Sequence, residues 1–196
     1  MWVRDVEHGR EGRIFSITRK AFPSTTGDGH STLEQLIFAD RRLRRQAGVF
    51  LSRLGEGAMR VAAAGEQVRL SNSGNHCQGT LFRDGSDLWT PGLERAMNEI
   101  AMRVPRLDLV RFDLRFRTDE ELRRGEGFFV LEMNGVSAES TNIYDPQRSW
   151  SWAMGVLFAQ WRIMYELGAA RRAEGVRPMP LSEVIRMSRR HFAALR

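Results

Sequence analysis

Two apolar runs in this chain carry polar residues where a plain buried strand would have none. Leu107–Phe116 and Phe128–Met133 are short, apolar and bounded by turn signals, so both read as strands. The first carries Arg111 and Asp113; the second carries Glu132, and Asn134 follows it. Strand side chains alternate between faces, so Arg111 and Asp113 share a face, and Glu132 and Asn134 share one. If the strands pair, two carboxylates and an amide oxygen converge beside an arginine. Hard oxygen ligands converging in this way suit Mg²⁺ held against phosphates; a plain ion pair with Arg111 or Arg115 is the competing reading.

The remaining periodicity predicts a mixed chain. Met1–Arg13 is polar and glycine-punctuated, with no start-of-domain character, and Arg13–Arg19 alternates well enough for a strand. Ser31 with Glu34 forms a capping-box pattern, which predicts a helix from about Thr32 through Leu33, Leu36 and Ile37. A second helical piece is predicted over Asp40–Leu54, with Leu43, Ala47, Phe50 and Leu54 as its apolar stripe. Gly65–Ser71 reads as a short strand. Pro91–Arg103 reads as a helix burying Leu93, Met97, Ile100 and Ala101. Thr118 with Glu121 caps a short helical turn that Gly125 ends. Ser149–Ala173 is a long helix, apolar through Trp152, Val156, Phe158, Trp161 and Tyr165, and its aromatics are expected in the core. Pro178 and Pro180 separate it from an amphipathic helix over Leu181–Leu195, with Val184, Ile185, Phe192 and Leu195.

Two loops carry candidate chemistry. Gly27-Asp28-Gly29 feeds a helix N-terminus, where free backbone N–H groups can hold phosphate, although the spacing alone favours a plain capped loop. Ser71–Thr80 (SNSGNHCQGT) holds no large aliphatic residue and reads as either a disordered tip or a site. His76 has no aspartate at triad spacing and Cys77 reads as a small apolar filler. The four histidines are scattered and the cysteine is single, so neither zinc nor an internal disulfide is expected.

Charge changes this picture little. The net charge is +6, but Lys20 is the only lysine and the arginines are spread along the chain, as on solvated helix faces. No helix-turn-helix, zinc-finger or RNA-binding signature accompanies them, so nucleic acid is not an expected partner. No run of 18 apolar residues exists, so no membrane span is expected. With no secretory leader and a single cysteine, the expected compartment is the cytoplasm.

The order GDGHSTLEQL, a Gly-Glu strand into an Asn-rich loop, a Thr-Pro helix, RFDLRF and VLEMNGV resembles the ATP-grasp superfamily. It is most similar to carboxylate–amine ligases of the cyanophycin-synthetase and D-alanine–D-alanine-ligase kind, over roughly Gly9–Gly175. The resemblance implies an α+β fold: a C-terminal ATP-grasp subdomain over 1–176, mainly antiparallel sheet flanked by helices, and a helical extension over 177–196. It implies ATP and Mg²⁺ as cofactors, with Asp113, Glu132 and Asn134 as magnesium ligands. Arg111 matches the arginine that stabilises the acyl-phosphate and the tetrahedral intermediate. Asn75 matches an asparagine near the phosphates, and Lys20 is the only ammonium available to the nucleotide. Ser137 and Glu139 fall where the substrate loop follows the metal strand, though the usual Pro-Gly form is absent here. The implied substrates are a small carboxylate and an amine. The family's lysine-bearing strand, glycine-rich lid and adenine hinge precede the matched region, so a complementing N-terminal chain or a homo-oligomer is the expected partner. The alternative expectation is an inactive remnant that serves as a protein-interaction module.

Overall fold

A computed structural model describes residues 1–5, 11–74 and 78–194. The fold is α+β, with antiparallel sheets flanked by helices. Strands β1 (Trp2–Arg4), β2 (Gly12–Ile14), β7 (Leu109–Phe116) and β8 (Phe128–Asn134) form a four-stranded sheet in the order β2-β1-β7-β8. Two ribbons accompany it: β3 (Thr18–Ala21) with β6 (Leu81–Asp84), and β4 (Ser24–Thr26) with β5 (Gln67–Arg69). The helices are α1 (Leu33–Ala39), α2 (Ala47–Leu54), α3 (Pro91–Met102), α4 (Asp119–Arg124), α5 (Trp150–Ala173) and α6 (Leu181–Ala194).

Local signals place most of these elements. Thr90 caps α3 through the Leu93 N–H and Pro91 sits in its first turn, where a missing N–H costs nothing. Leu93, Met97 and Ala101 recur at four-residue spacing and are buried against the sheet. Thr118 caps α4, and Gly125 ends it in the left-handed conformation, φ 80°. A Cβ on Gly125 would lie 2.7 Å from the Gly92 carbonyl oxygen, so only glycine lets α4 close on α3.

The sheet is buried on both faces at its centre because neighbouring residues point opposite ways. Trp2 and Val110 enter one core with Leu88, Leu93, Met97, Ala101 and Leu122, joined by Phe112, Leu114 and Phe116. Val3 and Leu109 enter another core, beneath Leu167, Ile163 and Met164 of α5. A third cluster joins Ile37, Leu43, Ala47, Phe50 and Leu70 around α1, α2 and β5.

Four sequence expectations are corrected. The N-terminal stretch is not featureless: Trp2 is 1% exposed, lies on a central strand, and donates its indole N–H to Asn98 Oδ1 at 2.6 Å. Arg13–Arg19 is not one strand. It breaks after Ile14, where β2 leaves the sheet, and β3 opens a separate ribbon at Thr18. The capping box is Thr32 with Gln35, one residue later than predicted, because the Ser31 hydroxyl is already bonded to Asp28. The α5 aromatics are not core: Phe158, Trp161 and Tyr165 are 59%, 51% and 71% exposed. The buried stripe of α5 runs instead through Gln160, Ile163, Met164 and Leu167 to Arg171, which pairs with Asp108 ahead of β7. A helix apolar all round does not announce which stripe faces the core. Helix α6 has no buried residue. None of the described helices is long and apolar enough to cross a membrane.

Candidate functional site

The β7–β8 ladder brings the misplaced polar residues together. Arg111 lies opposite Asn134 and Asp113 opposite Glu132, and a bulge then shifts the register between Asp113 and Leu114. Residues directly opposite in an antiparallel pair share a face. Val110 and Phe112 point into the α3 core, so Arg111, Asp113, Glu132 and Asn134 all stand on the other face. The bulge leaves Leu131 outside the paired register, an irregularity that often accompanies functional sites.

The β3–β6 ribbon supplies a fifth residue. Lys20 Nζ lies 2.7 Å from Asp113 Oδ2, and Arg111 Nε lies 3.2 Å from Asp113 Oδ1. Asp113 is therefore held by one cation on each oxygen. The side chains of Asp113, Arg111 and Lys20 are 18%, 26% and 31% exposed, which leaves them sheltered but reachable. Glu132 is exposed. A Cβ on Gly74 would lie 3.1 Å from Lys20 Cδ, so the lysine stem runs close beside the polar loop that begins at Ser71. Asn75, together with His76 and Cys77, lies outside the described residues. The Met1 amino group donates to the Ser16 carbonyl at 2.6 Å. Burial pushes this amine down to about 5, with Arg111 acting in the same direction and Asp113 opposing.

The Asn134 amide nitrogen donates to Glu132 Oε1 at 3.0 Å and its oxygen accepts from Arg111 Nη2 at 3.3 Å. Two carboxylates and this amide oxygen are the hard donor set that magnesium takes when phosphates complete its shell. The set fits the ion in kind, and Lys20 and Arg111 now neutralise one of its members. Among the described residues, no group of three or more His, Cys, Asp or Glu side chains is placed to hold a metal.

Ser137 and Glu139 belong to a loop that is tied down elsewhere. Glu139 accepts from the Tyr144 hydroxyl at 2.6 Å, which raises the phenol above its ordinary value. Ser137 is exposed. Among the described residues, no hydrogen bond joins either residue to Asp113 or Glu132. The loop is anchored by Gln160, which donates to the Ala138 carbonyl at 2.8 Å and accepts from the Ser140 N–H at 2.9 Å. It is anchored again at Asp84, whose backbone N–H donates to Asp145 and whose carboxylate takes Asn142, Arg148 and Ser86. Burial alone would raise the Asp84 carboxyl. The bonds from Asn142, Arg148 and Ser86 outweigh it and hold the group below the usual carboxylate range.

Sequence reasoning missed both anchors. Gln160, a lone polar residue in the stripe that meets the sheet, was the available signal; Asp84 stands in an Asp-Gly pair, which carries only a turn signal. The Gly27-Asp28-Gly29 turn is closed on itself. Asp28 takes the His30 N–H, the Ser31 N–H and the Ser31 hydroxyl, which hold its carboxyl well below the usual range. That is the bonding of a plain capped loop. No protein-family model matches the chain, and no curated protein matches it.

Proposed function

We propose that this chain is the magnesium-binding, C-terminal half of an ATP-grasp ligase that joins a carboxylate to an amine through an acyl-phosphate. The observation that carries the proposal is the β7–β8 register, which sets Asp113 across from Glu132 and Arg111 across from Asn134 on one sheet face. Asp113, Glu132 and Asn134 would hold the metal, which when bound neutralises charge on transferring phosphate oxygens. Arg111 reaches the same face and offers a fixed guanidinium to the oxyanion that forms when an amine attacks. Phosphoryl transfer asks for positioning and charge stabilisation rather than a protein nucleophile, so a site without a catalytic triad or reactive thiol is sufficient.

The test is Mg²⁺-dependent ATP consumption by the chain joined to a subdomain that supplies the glycine-rich lid. Asp113→Asn and Glu132→Gln are each expected to lower turnover by about 100-fold or more. Full turnover in either variant overturns the assignment.

A second reading, a catalytically inactive remnant that binds another protein, is favoured by the apolar side chains left uncovered. Phe158, Trp161 and Tyr165 on α5, and Leu181 and Phe192 on α6, are each more than half exposed. Under that reading both carboxylate variants leave association with the partner protein unchanged.

A further inference from the structure

The two carboxylates that face each other across β7 and β8 are treated unequally. Asp113 has Lys20 on one oxygen and Arg111 on the other. Glu132 forms no ion pair among the described residues; its partner is the uncharged Asn134 amide. Arg111 stands on the same strand as Asp113, two residues away, and is fixed by that strand. Lys20 is different. It arrives from the β3–β6 ribbon, outside the four-stranded sheet, so its contact depends on how two separate elements meet.

The residue type at this position also carries information. Among thirty Lys and Arg residues in the chain, Lys20 is the only lysine. A guanidinium would clamp a carboxylate through two parallel hydrogen bonds. An ammonium on a flexible four-carbon stem makes a single point contact and can swing away from it. The one lysine in the sequence therefore sits on the candidate ligand oxygen.

We propose that Lys20 is a displaceable counter-ion of Asp113, in direct competition with a divalent cation for Oδ2. The inference rests on the metal-site reading above and adds a control to it. While the ammonium is in place, Asp113 is neutralised and a dication approaching the pair meets like charge. When Oδ2 is taken, the ammonium is released beside Gly74, where a Cβ would lie 3.4 Å from Nζ, and is free to pair with an anionic ligand. Anion and dication then bind with positive coupling, because each favours the arrangement that admits the other.

The experiment is a Mn²⁺ titration of the full chain, read as free Mn²⁺ by paramagnetic resonance, with inorganic triphosphate as the anionic probe and the Mn²⁺ that triphosphate takes without protein subtracted. Wild type is compared with Lys20→Gln, Lys20→Arg, Asp113→Asn and Glu132→Gln, and circular dichroism confirms that each is folded. Lys20→Gln is expected to bind Mn²⁺ about tenfold more tightly than wild type without triphosphate. It is also expected to lose the tightening that triphosphate produces in wild type. Lys20→Arg, whose guanidinium holds on more firmly, is expected to bind no more tightly than wild type, and it serves if the glutamine variant fails to fold. Glu132-dependent Mn²⁺ binding that Lys20→Gln leaves equal or weaker overturns the counter-ion role and spares the metal site. No Glu132- or Asp113-dependent binding in wild type or Lys20→Gln overturns the metal-site reading itself.

Discussion

The two faces of the four-stranded sheet are made by alternate residues of the same strands, yet they have opposite characters. On one face Trp2, Val110, Phe112, Leu114 and Phe116 run unbroken beneath α3 and α4. On the other face Val3 and Leu109 are covered by α5, and then the apolar residues stop. Arg111, Asp113 and Arg115 follow, with Phe129 opposite Arg115 and 70% exposed. One face is a core and the other is a core that gives way to charged side chains after a single covered residue of β7. The difference shows where packing closes the sheet and where polar side chains stay within reach of solvent.

The largest effect should come from the packed face. Trp2→Ala removes a side chain that is 1% exposed and leaves Asn98 without its indole partner. The expected cost is about 3–5 kcal/mol, read by urea unfolding. A loss under about 1 kcal/mol would mean that β1 does not lie at the sheet centre.

Next comes the anchor of the loop that follows β8. The Asp84 side chain is 6% exposed and is bonded to Arg148, Asn142 and Ser86. Removing its charge with Asp84→Asn is expected to cost about 2–3 kcal/mol at pH 7, because Arg148 then lacks its partner. The folded carboxyl is held below the unfolded value of 3.8, so its contribution is complete above that value and is lost as pH falls through the folded one. The gap between wild type and Asp84→Asn should therefore narrow between pH 5 and pH 2. A gap independent of pH would show that the Asn142 and Ser86 bonds, not charge, hold the loop.

A smaller effect belongs to the helix caps beneath the packed face. Thr118→Ala removes the hydroxyl that accepts from the Glu121 N–H at 3.2 Å. The expected cost is about 1 kcal/mol, with Thr118→Ser restoring most of it. Equal losses in both variants would assign the effect to packing rather than to the cap.

These elements were legible in the sequence to the extent that their signals are local. The α4 cap, the Pro91 start of α3 and the polar pairs 111/113 and 132/134 each depend on residues within one turn or one strand of each other. The fold of the N-terminus was not legible, because a three-residue strand offers no window in which alternation can be seen. The bulge at Asp113/Leu114 was invisible for a similar reason: it exists only in the pairing. The Lys20–Asp113 contact joins residues 93 apart through two different sheets, and nothing near either residue encodes it. The α5 misreading has another origin. Its aromatics and its true contact stripe are both apolar, and the choice between them was made by the sheet, where Val3 and Leu109, with Met1 and Phe15 beside them, take Ile163, Met164 and Leu167.

That choice yields the smallest effect and the sharpest contrast between buried and open apolar surface. Trp161 is as large and apolar as Trp2, but it is 51% exposed and forms an edge-to-face pair with Phe158, at 5.6 Å between ring centres. Trp161→Ala should change unfolding free energy by about 0.5–1 kcal/mol, the worth of one edge-to-face pair and little else. Leu167→Ala, two turns along the same helix, removes a side chain that is 5% exposed and packed on Val3 and Leu109. It should cost about 2–5 kcal/mol. Measured side by side in urea, the two variants ask whether α5 meets the sheet through Leu167 or through its aromatics. If Trp161→Ala costs as much as Leu167→Ala, the helix is rotated from the position described, and the open end of the site face, where Arg111 and Asp113 stand, would be covered by tryptophan.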